Sequence, residues 1–289
     1  AVDNINGNTK ALITGTDINK NQTSVGDVNV LATDALESYS EVINGAITLS
    51  IGGDFSGNIG AGVLVNNNNR IVQSGIGGTN VHVLNAKDLT VSADSYADVD
   101  LLNVCASIAV SGSSGSVVAS VTSADVKETT DAYVNNMSGT VEDVTVQADH
   151  EDDFDLTGSN MVFSISTKYV GVGIGVQVTS QDNKAVTNAA ISGSTLEHNA
   201  NGVYDDIVRA RNISDTDIFM DNLAVGVGGV ETYGLAGVGI GVMVVDNDLE
   251  QITLAKVNNS RIGSSDKRAD DITVEAVGDM DVNYQSANA

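Results

Sequence analysis

Acidic side chains spaced two apart recur along this 289-residue chain: Asp98/Asp100, Asp153/Asp155, Asp215/Asp217 and Asp279/Asp281, with Glu41 near the matching place upstream. On a β-strand residues i and i+2 share a face, so each pair offers two carboxylates to one side. Such a pair can ligate a hard cation such as Ca²⁺, or flank a glycosidic bond as acid and base. An active site is normally built once, whereas these pairs return in every unit, which weakens the hydrolytic reading. If neighbouring pairs stack one strand spacing apart, adjacent charges about 4.8 Å from each other repel by about 0.9 kcal/mol even at the dielectric of water. A cation would relieve that repulsion, and so would exposure to salt water. No EF-hand loop or GGxGxDxUx nonapeptide accompanies the pairs. A solvated acidic face that keeps a long fibre soluble is the simpler expectation, with Ca²⁺ at these aspartates as the alternative.

Other candidate chemistry is thin. His82, His150 and His198 have no counterparts in other units and no nucleophile beside them, so they are expected to be solvated. Cys105 lies in LLNVCASIAV and reads as a buried small hydrophobe; a single cysteine excludes an internal disulfide framework. GVGIGV lacks both the dinucleotide fingerprint and the Walker lysine, and fits better as packed strand. Thirteen basic against 38 acidic side chains, a net charge of −25, argue against nucleic acid or an anionic membrane as partner. The window Leu223 to Val245 is long enough to cross a bilayer, yet its Gly/Val alternation has period 2 and reads as two buried strands rather than a membrane insertion.

These residues are positioned by a repeat. Asp-apolar-x-apolar or a close variant opens units at Asp27, Asp88, Asp143, Asp206 and Asp271, a period of about 60. About sixteen residues on, each unit places an asparagine: Asn44, Asn103, Asn160, Asn222 and Asn288. These are expected to stack as an interior amide ladder. After each Asn, Ile47/Leu49, Ala106/Ile108, Phe163/Ile165 and Val225/Val227 alternate with Thr48, Ser107, Ser164 and Gly226. That alternation predicts strands with Ile108, Ile165 and Val227 pointing inward. A Gly/Ser turn follows (GGDFSG, SGSSG, the region 167–171, GGVETYG), then a second alternating strand and a short closing strand, making four strands per unit.

The resulting units are 1–26 (partial), 27–87, 88–142, 143–205, 206–270 and 271–289 (partial), read as a window in a longer array. The first partial unit is a closing segment, since the run from Val2 parallels the run from Val245. With no Pro, 30 Gly and no useful 3.6-residue period, the chain is expected to be all-β, a parallel β-helix-like solenoid. Each unit should wind two or three coils, with one wide coil as the alternative. Tandem antiparallel β-sandwiches would need about 100 residues each and a core Trp, which this chain lacks.

At DVTVQAD, GVGIGVQV and NKAVTNAAISGSTL the sequence resembles the very large filamentous adhesins of anaerobic bacteria, the leukotoxin-like and haemagglutinin-like group. The resemblance extends over the whole chain and implies an exported, non-catalytic, right-handed β-helical stalk on the cell surface, with any host or cell-surface receptor bound outside this segment. The partners so implied are neighbouring repeats or other copies of the chain. A self-assembling extracellular filament subunit and, more distantly, a carbohydrate-active β-helix enzyme are the alternatives; no cofactor is required, with calcium the one ion to consider.

Overall fold

In a computed structural model, residues 1–22, 26–50, 55–198, 204–229, 236–264 and 266–289 are described; much of the GGDFSG and GGVETYG turns, with Glu231, lies outside them. The chain is all-β, with no helix among the described residues. One parallel sheet is ordered β1 (Val2–Thr14), β3 (Ser56–Asn85), β5 (Ser114–Val141), β7 (Val170–Ser192), β10 (Ala236–Asn258), extended by the short β8 (Thr195–His198) and β11 (Arg261–Ile262). The other is ordered β2 (Val28–Leu49), β4 (Leu89–Ser111), β6 (Val144–Ser166), β9 (Asp205–Val227), β12 (Asp271–Asn288). Every pairing is parallel, so the solenoid expectation holds and the antiparallel sandwich does not.

Each unit is one wide coil, not two or three, and the expected four strands are two long ones. The vertical stack Val28, Leu89, Val144, Asp206, Ile272 advances by 61, 55, 62 and 66 residues. Alternate side chains of the polar run Asn66 to Asn69 enter the interior, and the strand continues through them, joining what the sequence divides into a second and a closing strand. The corner closing the first sheet is a left-handed turn. Asn136, Gly193 and Asn259 have φ of 53°, 59° and 49° and stack in register, a conformation only Gly and Asn adopt cheaply.

The interior tapers across the coil. Near the corner, Leu89, Val91, Val144, Val146 and Val208 pack against Val134, Met137, Ile191 and Leu196. A middle layer holds Leu101, Phe154, Leu156, Ile218 and Met220, and the far edge holds the smaller set Cys105, Val118, Val162 and Ala224. There the inward positions are small: Ser107, Ser114, Ser116 and Ser164 are buried, and Ser114 and Ser164 hydroxyls lie 2.8 Å apart.

This reverses the expected strand phase. Ile108 is only half-buried, Ile165 is 39% exposed and Val227 41% exposed, with Ser107 and Ser164 inside. The alternation was legible, but its inward member is the small one because the two sheets converge toward this edge. Glycines mark the approach: a Cβ on Gly175 would sit 2.4 Å from Asn222 Oδ1, and one on Gly241 2.3 Å from Asn288 Oδ1. Likewise the Leu223 to Val245 window forms the end of β9 and the start of β10, but Val238, Ile240, Val242 and Val244 are exposed rather than buried.

Candidate functional site

Register decides which acidic residues meet. On the outer face of the second sheet, Glu37, Asp98, Asp153, Asp215 and Asp281 form one row across five strands. Two residues on, Tyr39, Asp100, Asp155, Asp217 and Asn283 form the next. The structure thus brings together Asp98/Asp100, Asp153/Asp155 and Asp215/Asp217 as expected. It slips the last pair by two: Asp281 joins the row, while Asp279 lies opposite Ile213. In the first unit Glu37, not Glu41, completes the row; Glu41 lies opposite Leu102 and accepts a 3.0 Å hydrogen bond from the Tyr39 hydroxyl.

Asp153 and Asp155 are solvent-accessible, as both readings of the pairs require. Partial desolvation holds both carboxyls above the usual carboxylate range, and the neighbouring aspartates add to that push. A hollow of about 340 Å³ beside Glu37, Ser38, Tyr39, Asp98 and Asp100 lies open on this face. Among the described residues no three His, Cys, Asp or Glu side chains converge as a metal-binding set.

The asparagine row is also shifted. Asn44, Cys105, Asn160, Asn222 and Asn288 stack, so Cys105 occupies the ladder position and Asn103 stands two residues before it. Cys105 is fully buried, as expected, and desolvation pushes its thiol up. Instead of bonding to one another, the amides reach across to the opposite sheet. Asn160 donates to the Val176 carbonyl at 2.9 Å, Asn103 to Val121 O at 3.1 Å, Asn222 to Val242 O at 3.0 Å and Asn288 to Gly241 O at 3.2 Å. They tie the converging sheets together.

Two histidines overturn the expectation of solvent exposure. His150 is 2% exposed and belongs to a polar seam between the corner core and the middle layer. At its centre Arg70, also 2% exposed, places Nη2 2.8 Å from Asp34, and donates through Nη1 to Glu128 at 3.1 Å and to the Tyr96 carbonyl at 2.9 Å. Glu128 and His150 Nδ1 stand 3.2 Å apart but out of line for a hydrogen bond. Asp152 accepts from Asn183 at 2.9 Å. Burial pushes Glu128 up to about 7 against the pull of Arg70, and burial likewise depresses His150.

His198 is fully buried, stacked on Tyr204 at 4.5 Å, with Nδ1 2.9 Å from the Glu142 carbonyl and Nε2 3.4 Å from Asp206. Burial raises Asp206 to about 6, opposed by His198. This corrects the repeat as well: Asp205 stacks on Asp143, and Asp206 enters a core position over Val144. The double Asp at 205–206 made the one-residue shift invisible in sequence.

The chain matches no family model, no curated protein and no solved structure.

Proposed function

We propose that the chain is a structural stalk segment of an extracellular bacterial filamentous adhesin or surface fibre and carries no catalysis. The observation that supports this most is the register. Long in-register strands add one coil at a time, so length grows while the cross-section repeats, which is what a stalk requires. The acid rows then serve as a solvated face that keeps lateral sheet contacts apart, with no cofactor required. Calcium along those rows is the one bound ion this reading leaves to test. Its partners are the neighbouring repeats or other copies, with receptor binding outside this segment; the charge of −25 tells against nucleic acid and membrane insertion.

A second reading, a self-assembling filament subunit, draws support from the end coils, where β2 and β12 are each paired on one side. Intact-mass measurement of the protein from its source separates the two. A polypeptide several times longer supports the stalk. A mature chain of this length would overturn it in favour of the filament subunit.

A further inference from the structure

The converging edge that hides serine inside turns its large apolar side chains outward. On the first sheet, outward positions 57–63, 115–121, 172–178 and 238–244 stack as four rows of four, one row being Ile59, Val117, Ile174 and Ile240. All sixteen are Gly, Ala, Val or Ile, in a chain whose net charge is −25. Val121 is 39% exposed and Ile240 45% exposed. Four strands about 4.8 Å apart and four outward residues about 6.6 Å apart make a patch of roughly 500 Å², at the upper end of what a monomer leaves uncovered.

We infer that this grid is a lateral docking surface for a second copy of the chain. Three observations favour that occupant. Two such patches face to face cover roughly 1,000 Å², the lower bound for a specific dimer, and each added coil enlarges the contact. Charge is segregated: both acid rows lie on the outer face of the other sheet, so pairing through the grid holds them on the far sides of the dimer. A twofold axis through the grid centre, along the solenoid, is self-complementary and sets the nearest acids, Asp246 in the next outward row and Asp125, Asp182 and Asp248 in the one after, against the partner's edge turn rather than against its carboxylates. A bilayer is the poorer occupant, because edge-first insertion would drive the backbone of Ser111 to Ser113 and the Lys168 side chain of the edge turns into hydrocarbon.

Sedimentation equilibrium of the full chain at moderate salt tests this, with vesicle flotation on neutral phosphatidylcholine as the second arm. The wild-type chain is expected to dimerise and Ile174→Lys to weaken the dimer at least about tenfold with an unchanged thermal midpoint. Val176→Thr, nearly isosteric and at home in a strand, should fold and weaken the dimer more mildly; Phe163→Lys on the other sheet should leave it intact. A chain monomeric throughout, a dimer lost on Phe163→Lys but not on Ile174→Lys, or flotation of a monomer that Ile174→Lys abolishes would each overturn the proposal.

Discussion

Replacing Glu128 by Gln measures what the buried seam costs the fold. Glu128 is 3% exposed, hydrogen-bonded by Arg70, and raised by burial from 4.5 to about 7. A carboxyl whose folded value lies above its unfolded one contributes stability that is complete below pH 4.5 and is lost as pH rises through 7. The separation of those two values corresponds to about 3 kcal/mol. Gln carries no such proton and still offers an oxygen to Arg70. At pH 5 the two proteins should therefore unfold within about 1 kcal/mol of each other, while at pH 8.5 the variant should be more stable by about 2 to 3 kcal/mol. His150 titrates with the opposite sign: held below 6.5, its contribution is present above that pH and fades as pH falls. Asp206, raised to about 6, loses its contribution as pH rises from 3.8 through 6, but it is common to both proteins and drops out of the difference. Urea unfolding followed by circular dichroism from pH 5 to 8.5 gives the comparison directly. A difference that stays flat with pH, or a variant weaker than wild type at pH 8.5, would refute the assignment of Glu128 as a carboxyl strained by burial.

Ser164→Val should cost about 2 to 5 kcal/mol by overpacking the narrow edge and orphaning the Ser114 hydroxyl, more than the roughly 1 to 2 kcal/mol expected for Ile165→Ser; the reverse order in denaturant midpoints would restore the opposite strand phase. Asn222→Ala should cost about 1 to 3 kcal/mol by leaving the Val242 and Gly175 carbonyls without their donor, read in the same assay. Asp153→Asn should stabilise by no more than about 1 kcal/mol at low salt and by nothing measurable near 1 M, where screening has already removed the repulsion. Thermal midpoints should rise equally with Ca²⁺ and Na⁺ at matched ionic strength, and rescue by Ca²⁺ alone after chelation would instead place a specific ion on the acid rows.

Period, strand content and the parallel solenoid were readable because Asp-Val-x-Val and the Gly/Val blocks return at a spacing that vertical pairing then honours within a residue or two. Strand phase was not readable. Alternation of Ser164 with Ile165 names two faces but does not say which one the opposite sheet covers, and only convergence onto Gly173 and Gly175 decides it. The acid pairs were found residue by residue, yet matching Asp-x-Asp alone missed the constant spacing from Asp27, Asp88, Asp143, Asp205 and Asp271 that selects Glu37 over Glu41 and puts Asp281 in the first row. The buried seam escaped because Arg70, Glu128 and the His150/Asp152 pair fall on three different strands and none repeats in the next unit. Its one sequence trace is polar residues at inward parity, such as Asn66, Asn68 and Arg70, which becomes visible only when the strand is known to run through them.

One wide coil per unit has a mechanical consequence. A tensile load along the solenoid axis meets the strands broadside and opens backbone pairs like a zipper, from whichever end coil is gripped. Each coil that yields frees about 60 residues, roughly 200 Å of extended chain. The rupture force should therefore be low and nearly the same from coil to coil, while the work absorbed climbs with every coil paid out. A solenoid so built would yield to a sudden pull by lengthening in uniform steps, and on release its remaining coils would offer a ready-made edge on which the freed chain can wind back.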